Sequence, residues 1–117
     1  MLTIRLPLPP SVNNMFGVTR TTGRRFKSRT YKRWCEDADF ELVRQRANKV
    51  RLPGKYSIII GCPQGMRGDV DNRVKAILDL FVRWGITDDD KHCRRMVAEK
   101  VAGIERDTCI VTIEAME

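Results

Sequence analysis

The segment 56–62 is the longest apolar stretch of the chain, and it strongly limits how the chain can fold. It falls far short of the roughly 18 apolar residues that a membrane-spanning helix needs. A continuous apolar run of strand length is typical of a strand that is covered on both faces. We therefore expect residues 55–62 to form such a strand, and its apolar character makes it a candidate edge for pairing with a second copy of the chain.

The other predicted strands are shorter or less apolar. Residues 2–6 alternate between apolar and polar side chains, which is the period of a half-buried strand. Residues 17–27 predict a short hairpin or an extended basic loop. Near the end of the chain, residues 92–101 and 108–115 predict two closing antiparallel strands, and residues 105–107 would form the turn between them.

Two helices are predicted from apolar positions at helical spacing. Ser28 is placed to cap the first helix, whose apolar positions continue to Val50. The second helix carries an apolar stripe from Val70 to Phe81, and Gly85 supplies its stop. Because helices and strands do not alternate strictly, the pattern favours an α+β fold over a wound parallel sheet.

Length and composition fit one small domain. The chain has 117 residues, of which 42% are hydrophobic, enough for a substantial core, and this argues against intrinsic disorder. We expect a single domain over residues 1–117, with a mixed sheet of about four to five strands and two helices.

The basic charge of the chain is concentrated in one region. The net charge is +7, and residues 20–51 hold 11 basic and 4 acidic side chains, whereas residues 52–117 hold 10 and 11. Such a surface favours a polyanionic partner, with nucleic acid ahead of an anionic membrane. The candidate phosphate contacts in the basic loop are Arg24, Arg25 and Lys27. The alternative is a merely solvated surface.

The four cysteines and the start of the chain indicate a reducing compartment. None of the cysteines lies in a CxxC pair, and no secretory signal is visible in the first residues. We therefore expect reduced thiols, mostly buried, in a cytoplasmic protein that does not contact membranes.

Five aspartates flank the second predicted helix and are the candidate catalytic groups. Asp69 and Asp71 lie at its start, and Asp88, Asp89 and Asp90 follow its end. Carboxylates are ligands that suit Mg²⁺, and zinc is disfavoured because His92-Cys93 has no second spaced histidine or cysteine pair to complete a zinc site. A magnesium ion held there would polarise a phosphodiester and activate a water molecule.

Lys75 and the aspartates also have ordinary structural interpretations. Lys75 follows Asp71 by one helical turn, which would let it reach a scissile phosphate. Asp69 is equally an N-cap candidate, and Asp71 favours the positive end of the helix dipole. Asp79 could continue the polar face or pair with Arg83.

Two motifs together resemble the RusA family of Holliday junction resolvases, small enzymes of phage and prophage origin. The first is Pro9-Pro10-Ser11-Val12-Asn13, followed by the aromatic Phe16. The second is Asp69-Val70-Asp71-Asn72 with Lys75, followed by Gly85 and the Asp88-Asp89 pair. Their order and spacing agree with the family from Leu2 nearly to the C-terminus.

The resemblance implies a Mg²⁺-dependent endonuclease that acts as a homodimer on four-way junction DNA in recombination and repair, with no small-molecule cofactor. It implies that Asp69, Asp71 and Asp89 are catalytic metal ligands, with Asp88 and Asp90 as neighbouring alternatives for the third position. Lys75 would be the catalytic lysine. Asn13 and Arg67 join the basic loop as implied nucleic-acid contacts.

Two other functions remain open from the sequence. One is a noncatalytic basic protein that coats or bends DNA, although carboxylates near phosphate would repel such a ligand unless a cation intervened. The other is a metal-dependent nuclease that acts on another branched substrate or on RNA.

Overall fold

A four-stranded mixed sheet forms the centre of the fold in a computed structural model that describes residues 1–117. Its strands are β1 (Leu2–Pro7), β4 (Tyr56–Pro63), β5 (Cys93–Val101) and β6 (Thr108–Ala115), in the order β1-β6-β4-β5. Only the β4–β5 pair is parallel. With two helices and a separate two-stranded ribbon, the structure confirms the α+β prediction.

The sheet is covered on one face only. Along β4, Ile58 and Ile60 are buried in the core, whereas Ile59 between them is 37% exposed. The buried side chains of both helices join the same core cluster as Ile58 and Ile60. The prediction that both faces of this strand are covered is therefore wrong, because both helices pack on the same side.

The predicted edge position of this strand is also wrong. β4 lies between β6 and β5, so its backbone groups pair on both sides. The two free edges of the sheet belong to β1 and β5. An inner position suits the most apolar strand, because it removes the strand from water most completely.

The two closing strands do not form a hairpin with each other. β4 lies between β5 and β6, so residues 102–107 cross the end of β4 instead of making a tight turn. At this crossing Ile104 packs against Gly61, where an added Cβ atom would lie 2.8 Å from the Ile104 Cδ1 atom. The absence of a side chain at Gly61 lets the end of the Ile104 side chain lie directly against the strand.

Helix α1 (Arg29–Arg44) begins as predicted and ends earlier. The Ser28 side chain accepts a hydrogen bond from the Tyr31 backbone N–H at 3.1 Å, as expected of an N-cap. At the other end, Arg46 adopts φ 58°, and the Ala47 N–H donates to the Leu42 carbonyl. This left-handed turn ends the helix before Val50.

Helix α2 (Val74–Arg83) follows a 3₁₀ turn, Val70–Arg73. Of the two aspartates predicted at the start of a helix, Asp71 thus lies on the tighter 3₁₀ turn that precedes the helix, and Asp69 lies immediately before that turn. Gly85 ends α2 with φ 72°, as predicted. No helix in the chain is long and apolar enough to cross a membrane.

The basic segment forms a hairpin of β2 (Phe16–Val18) and β3 (Arg25–Lys27). A Cβ atom added at Gly17 would lie 2.5 Å from the Phe26 Cζ atom, so glycine lets that ring lie across the hairpin. Residues 20–27 are all exposed to solvent, which places the concentrated positive charge on an accessible surface.

Candidate active site

The first pair of predicted catalytic aspartates lies just beyond β4. Asp69 has extended backbone dihedrals before the 3₁₀ turn Val70–Arg73, and Asp71 lies in that turn. Both residues are exposed, and the Asp69 side chain makes no capping hydrogen bond. Asp69 therefore occupies the predicted N-cap position without capping the turn through its side chain, and its carboxylate is left accessible for a ligand.

Lys75 forms ion pairs with two carboxylates in the site. Its Nζ atom lies 3.0 Å from Asp79 Oδ1 and 3.3 Å from Asp90 Oδ2. Hydrogen bonding to Asp79, and to a smaller extent to Asp90, raises the pKa of Lys75 above its usual 10.5. Lys75 therefore carries its positive charge at neutral pH, next to two carboxylates from different segments of the chain.

The alternative pairing of Asp79 with Arg83 does not form. Arg83 instead makes two hydrogen bonds to Asp39 of α1, at 2.8 and 3.1 Å. This ion pair links the two helices, and Asp79 pairs with Lys75 instead. Asp79 thus continues the polar face of α2, the other interpretation considered from the sequence.

The three consecutive aspartates after α2 have three different contacts. Asp88 Oδ2 accepts a hydrogen bond from the Gly54 N–H at 3.2 Å and so joins the loop before β4. Asp89 Oδ1 accepts from the Lys91 N–H at 2.9 Å and caps the 3₁₀ turn Asp90–His92. Asp90 is the one that reaches Lys75.

The electrostatics of Asp89 follow from its capping role. The hydrogen bond from the Lys91 backbone, followed by one that involves Asp90, lowers the pKa of Asp89 below its usual 3.8. Asp89 and Asp90 line the same shallow depression beside Asp79. Asp89 is thus adjacent to the lysine-bound carboxylate but is oriented by its own backbone turn.

The five aspartates do not form a ready-made metal cage. No three side chains of the histidine, cysteine, aspartate or glutamate types converge where a metal ion could bind. Asp69 and Asp71 lie at the start of the first 3₁₀ turn, whereas Asp88, Asp89 and Asp90 lie at the start of the second. The chemistry of the donors nevertheless fits Mg²⁺, which is commonly held by one or two carboxylates with water molecules completing its coordination.

Arg73 joins the two sequence motifs, a role that the sequence did not reveal. Its Nη1 atom donates to the Pro9 carbonyl at 2.7 Å, and its Nη2 atom donates to the Arg67 carbonyl at 3.4 Å. The 3₁₀ turn Val12–Asn14 also contacts the turn that carries Asp71. The N-terminal motif, with Asn13, therefore packs beside the first acidic pair.

The basic hairpin is connected to this same region. β2 contacts the turn that carries Asn13. The Arg25 guanidinium lies 3.6 Å from the centre of the Phe16 ring, and Lys27 Nζ lies 5.4 Å from that of Tyr31. Cation–π contacts restrain these two charges, whereas Arg24 is exposed without such a contact.

Comparison with known proteins identifies the family to which the chain belongs. Residues 7–114, nearly the whole chain, match a family of endodeoxyribonucleases. The chain belongs to that family, Endodeoxyribonuclease RusA, which implies an enzyme that resolves Holliday junctions. The resemblance seen in the two sequence motifs is thereby confirmed. No curated protein matches the chain.

Proposed function

We propose that the protein is a Mg²⁺-dependent endonuclease that resolves four-way DNA junctions by paired nicks, acting as a homodimer in recombination and repair. The observation that carries this proposal is the contact of Lys75 Nζ with Asp90 Oδ2 at 3.3 Å. Lys75 itself follows Asp71 by about one helical turn in the sequence. A lysine among carboxylates, beside a basic surface, is an arrangement suited to phosphodiester cleavage.

The carboxylates proposed to hold Mg²⁺ are Asp69, Asp71 and Asp90. The resemblance alone implies Asp89 as the third, but the Asp89 carboxylate caps its own turn while Asp90 faces Lys75. When bound, the ion would polarise the phosphoryl oxygen and lower the pKa of an attacking water molecule. Asp89 would then orient the acidic turn.

Lys75 is proposed to stabilise charge on the phosphoryl group. Its ammonium group keeps its proton well above neutral pH, because both carboxylate partners favour the charged form. A positive donor placed there favours the transition state, in which negative charge on the nonbridging oxygens is greatest. Asp79 would act by holding the ammonium group in place.

The DNA-binding residues are proposed to act mainly through phosphate contacts. Arg25 and Lys27 are restrained on aromatic rings, so less side-chain entropy is lost when they meet a phosphate. Asn13, Arg24 and Arg67 are exposed to solvent. Phosphate contacts of this kind position the substrate without reading its sequence.

The proposed dimer follows from the symmetry of the substrate. A four-way junction has approximate two-fold symmetry, and nicks in two opposed strands require two equivalent active sites. One copy of the chain supplies one acidic site, so two copies provide the pair.

The decisive experiment is cleavage of a labelled synthetic four-way junction with Mg²⁺ or with EDTA, beside duplex, flap, single-stranded and RNA controls. We expect paired nicks on the junction that require Mg²⁺. The Asp71→Asn variant should bind the junction as well as or better than wild type but not cleave it, because it loses a ligand and a negative charge near phosphate.

Two outcomes would replace this proposal. Tight junction binding without any product under any divalent ion would indicate a noncatalytic architectural protein. Equal cleavage of flaps or of RNA would indicate a nuclease with a different substrate.

A further inference from the structure

A cleft lies at the end of the sheet, where β1, β4 and β5 finish. It has a volume of about 820 Å³. Its walls are the proline-rich turn after β1, the loop that follows β4, and the connection that crosses the end of β4. Arg67 lines this cleft and precedes Asp69 by only two residues, so the cleft adjoins the first acidic pair.

The charge of the cleft favours an anionic ligand. Three arginines line it, Arg67, Arg73 and Arg106, and Asp107 is the only acidic residue among its walls. Asp107 lies 3.9 Å from Arg106, and the side chains of both are largely exposed.

Arg73 adds a cation that no carboxylate neutralises. Its two terminal nitrogens donate to backbone carbonyls, and its buried Nε atom has no acceptor. A partly buried positive charge without a counterion raises the affinity of the surrounding surface for an anion.

The other residues that line the cleft include several apolar side chains, which points to more than a bare phosphate. Pro10 and Met66 are buried at the cleft, and Ile104 is partly exposed beside them. A volume of this size lies within the range of roughly 300–1,000 Å³ that is typical of sites for small organic ligands. Apolar walls under a cationic rim match the base and the phosphate of one nucleotide.

We propose that this cleft binds an unpaired deoxynucleotide of the DNA strand that reaches Asp69. The inference rests on the proposed function only in taking DNA as the substrate. The phosphate contacts Arg67 and Arg106, and the base lies against Pro10, Met66 and Ile104. The nucleotide is unpaired because stacked neighbours cover the base faces within a duplex, whereas a branch point can release them.

The test is binding of a fluorescently labelled pentathymidylate without Mg²⁺, measured by anisotropy. A Cβ atom added at Gly65, which lines the cleft, meets no other atom within 4 Å, so a side chain can start at this position and Gly65→Leu is chosen to narrow the cleft. Arg106→Ala removes a rim charge. Lys49→Ala, an exposed position in the loop after α1, is the control for loss of one positive charge.

We expect Gly65→Leu and Arg106→Ala to weaken pentathymidylate binding by about tenfold, and Lys49→Ala to change it by less than about twofold. An abasic pentamer of equal charge should bind wild type more weakly than pentathymidylate. Thermal unfolding followed by circular dichroism checks that the variants fold. If Gly65→Leu does not fold, the test rests on pentathymidylate binding by Arg106→Ala, because the Arg106 side chain is largely exposed.

Three results would overturn the proposal: no binding of pentathymidylate to wild type, binding unaffected by either cleft variant, or equal binding of the abasic pentamer. Junction cleavage is measured separately on the same proteins. Cleavage without cleft binding refutes this inference and leaves the proposed function intact. Cleft binding without junction cleavage supports this inference and refutes the proposed function.

Discussion

At the scale of single residues, the acidic turn shows how three identical neighbours acquire different chemistry. Asp88 is bound to the Gly54 backbone, Asp89 caps its own turn, and Asp90 contacts Lys75. Substitution of each aspartate by asparagine keeps the shape of the side chain and removes the charge. The three variants therefore compare the three environments directly.

We predict that Asp90→Asn lowers the rate of junction nicking by at least about a hundredfold, because it removes a carboxylate from Lys75 and from the proposed ion. Asp88→Asn is the matched control, since an amide oxygen can still accept the Gly54 hydrogen bond, and its rate should stay within about threefold of wild type. Single-turnover nicking measures both. A larger loss in Asp88→Asn than in Asp90→Asn would contradict the assignment.

Lys75→Ala should slow the chemical step more than it weakens junction binding. Lys75 keeps its positive charge at neutral pH through Asp79 and Asp90, and such a charge acts most strongly on the transition state. We expect single-turnover nicking at saturating junction to fall by about a hundredfold, with the junction Kd changed by less than about threefold. If the defect disappears at saturation, the lysine contributes only to affinity.

At the scale of elements, the hairpin of β2 and β3 carries the accessible positive charge. Replacing both Arg24 and Arg25 by alanine should weaken junction binding and lower the slope of log Kd against log salt by about two, because each phosphate contact contributes roughly one. Titrations at several salt concentrations measure the slope. An unchanged slope would place the DNA on another surface.

The connection across the end of β4 lies against a strand position that has no side chain, Gly61. Gly61→Ala would place a methyl group 2.8 Å from Ile104 Cδ1, the end of a flexible and partly exposed side chain that must shift, so we expect it to lower the free energy of unfolding by about 1 kcal/mol. Gly65→Ala, whose added methyl group meets nothing within 4 Å, should change it by less than about 0.5 kcal/mol. Urea unfolding compares the two, and equal stabilities would show that Ile104 moves aside freely.

Sequence periodicity predicts which segments form helices and strands better than it predicts which strands lie side by side. The β1 strand, the Ser28 cap and the Gly85 stop are local features, and the structure has all three. The closing strands were wrongly paired because alternation shows that a segment is a strand, not which strand lies beside it. Helix α1 was predicted too long because buried Ala47 continues the helical apolar pattern beyond the turn at Arg46.

The same limit applies to the candidate site. The motifs picked out Asp69, Asp71 and Lys75, which lie close together in sequence. The contact of Lys75 with Asp90 spans 15 residues, and that of Arg73 with Pro9 spans 64. Such distant contacts depend on how the sheet and helices pack, so no local pattern could give them.

The proposed homodimer determines both the mass of the protein in solution and the kind of nick that it produces. Sedimentation should show a species of twice the 13.5 kDa of one chain. When wild type is mixed with Asp71→Asn and the subunits exchange, mixed dimers hold one functional site each, so single nicks should increase relative to paired nicks. A mass of 13.5 kDa at every concentration tested would contradict the dimer.

The two bonds that Arg73 makes to backbone carbonyls bear on how this protein can vary. Every amino acid carries a backbone carbonyl, so the acceptors at positions 9 and 67 do not depend on the side chains present there. The hydrogen bonds that join the two sequence motifs can thus persist while the side chain at position 67 changes. Residue 67 is therefore a position at which related proteins can alter what they bind without rebuilding the framework beneath it.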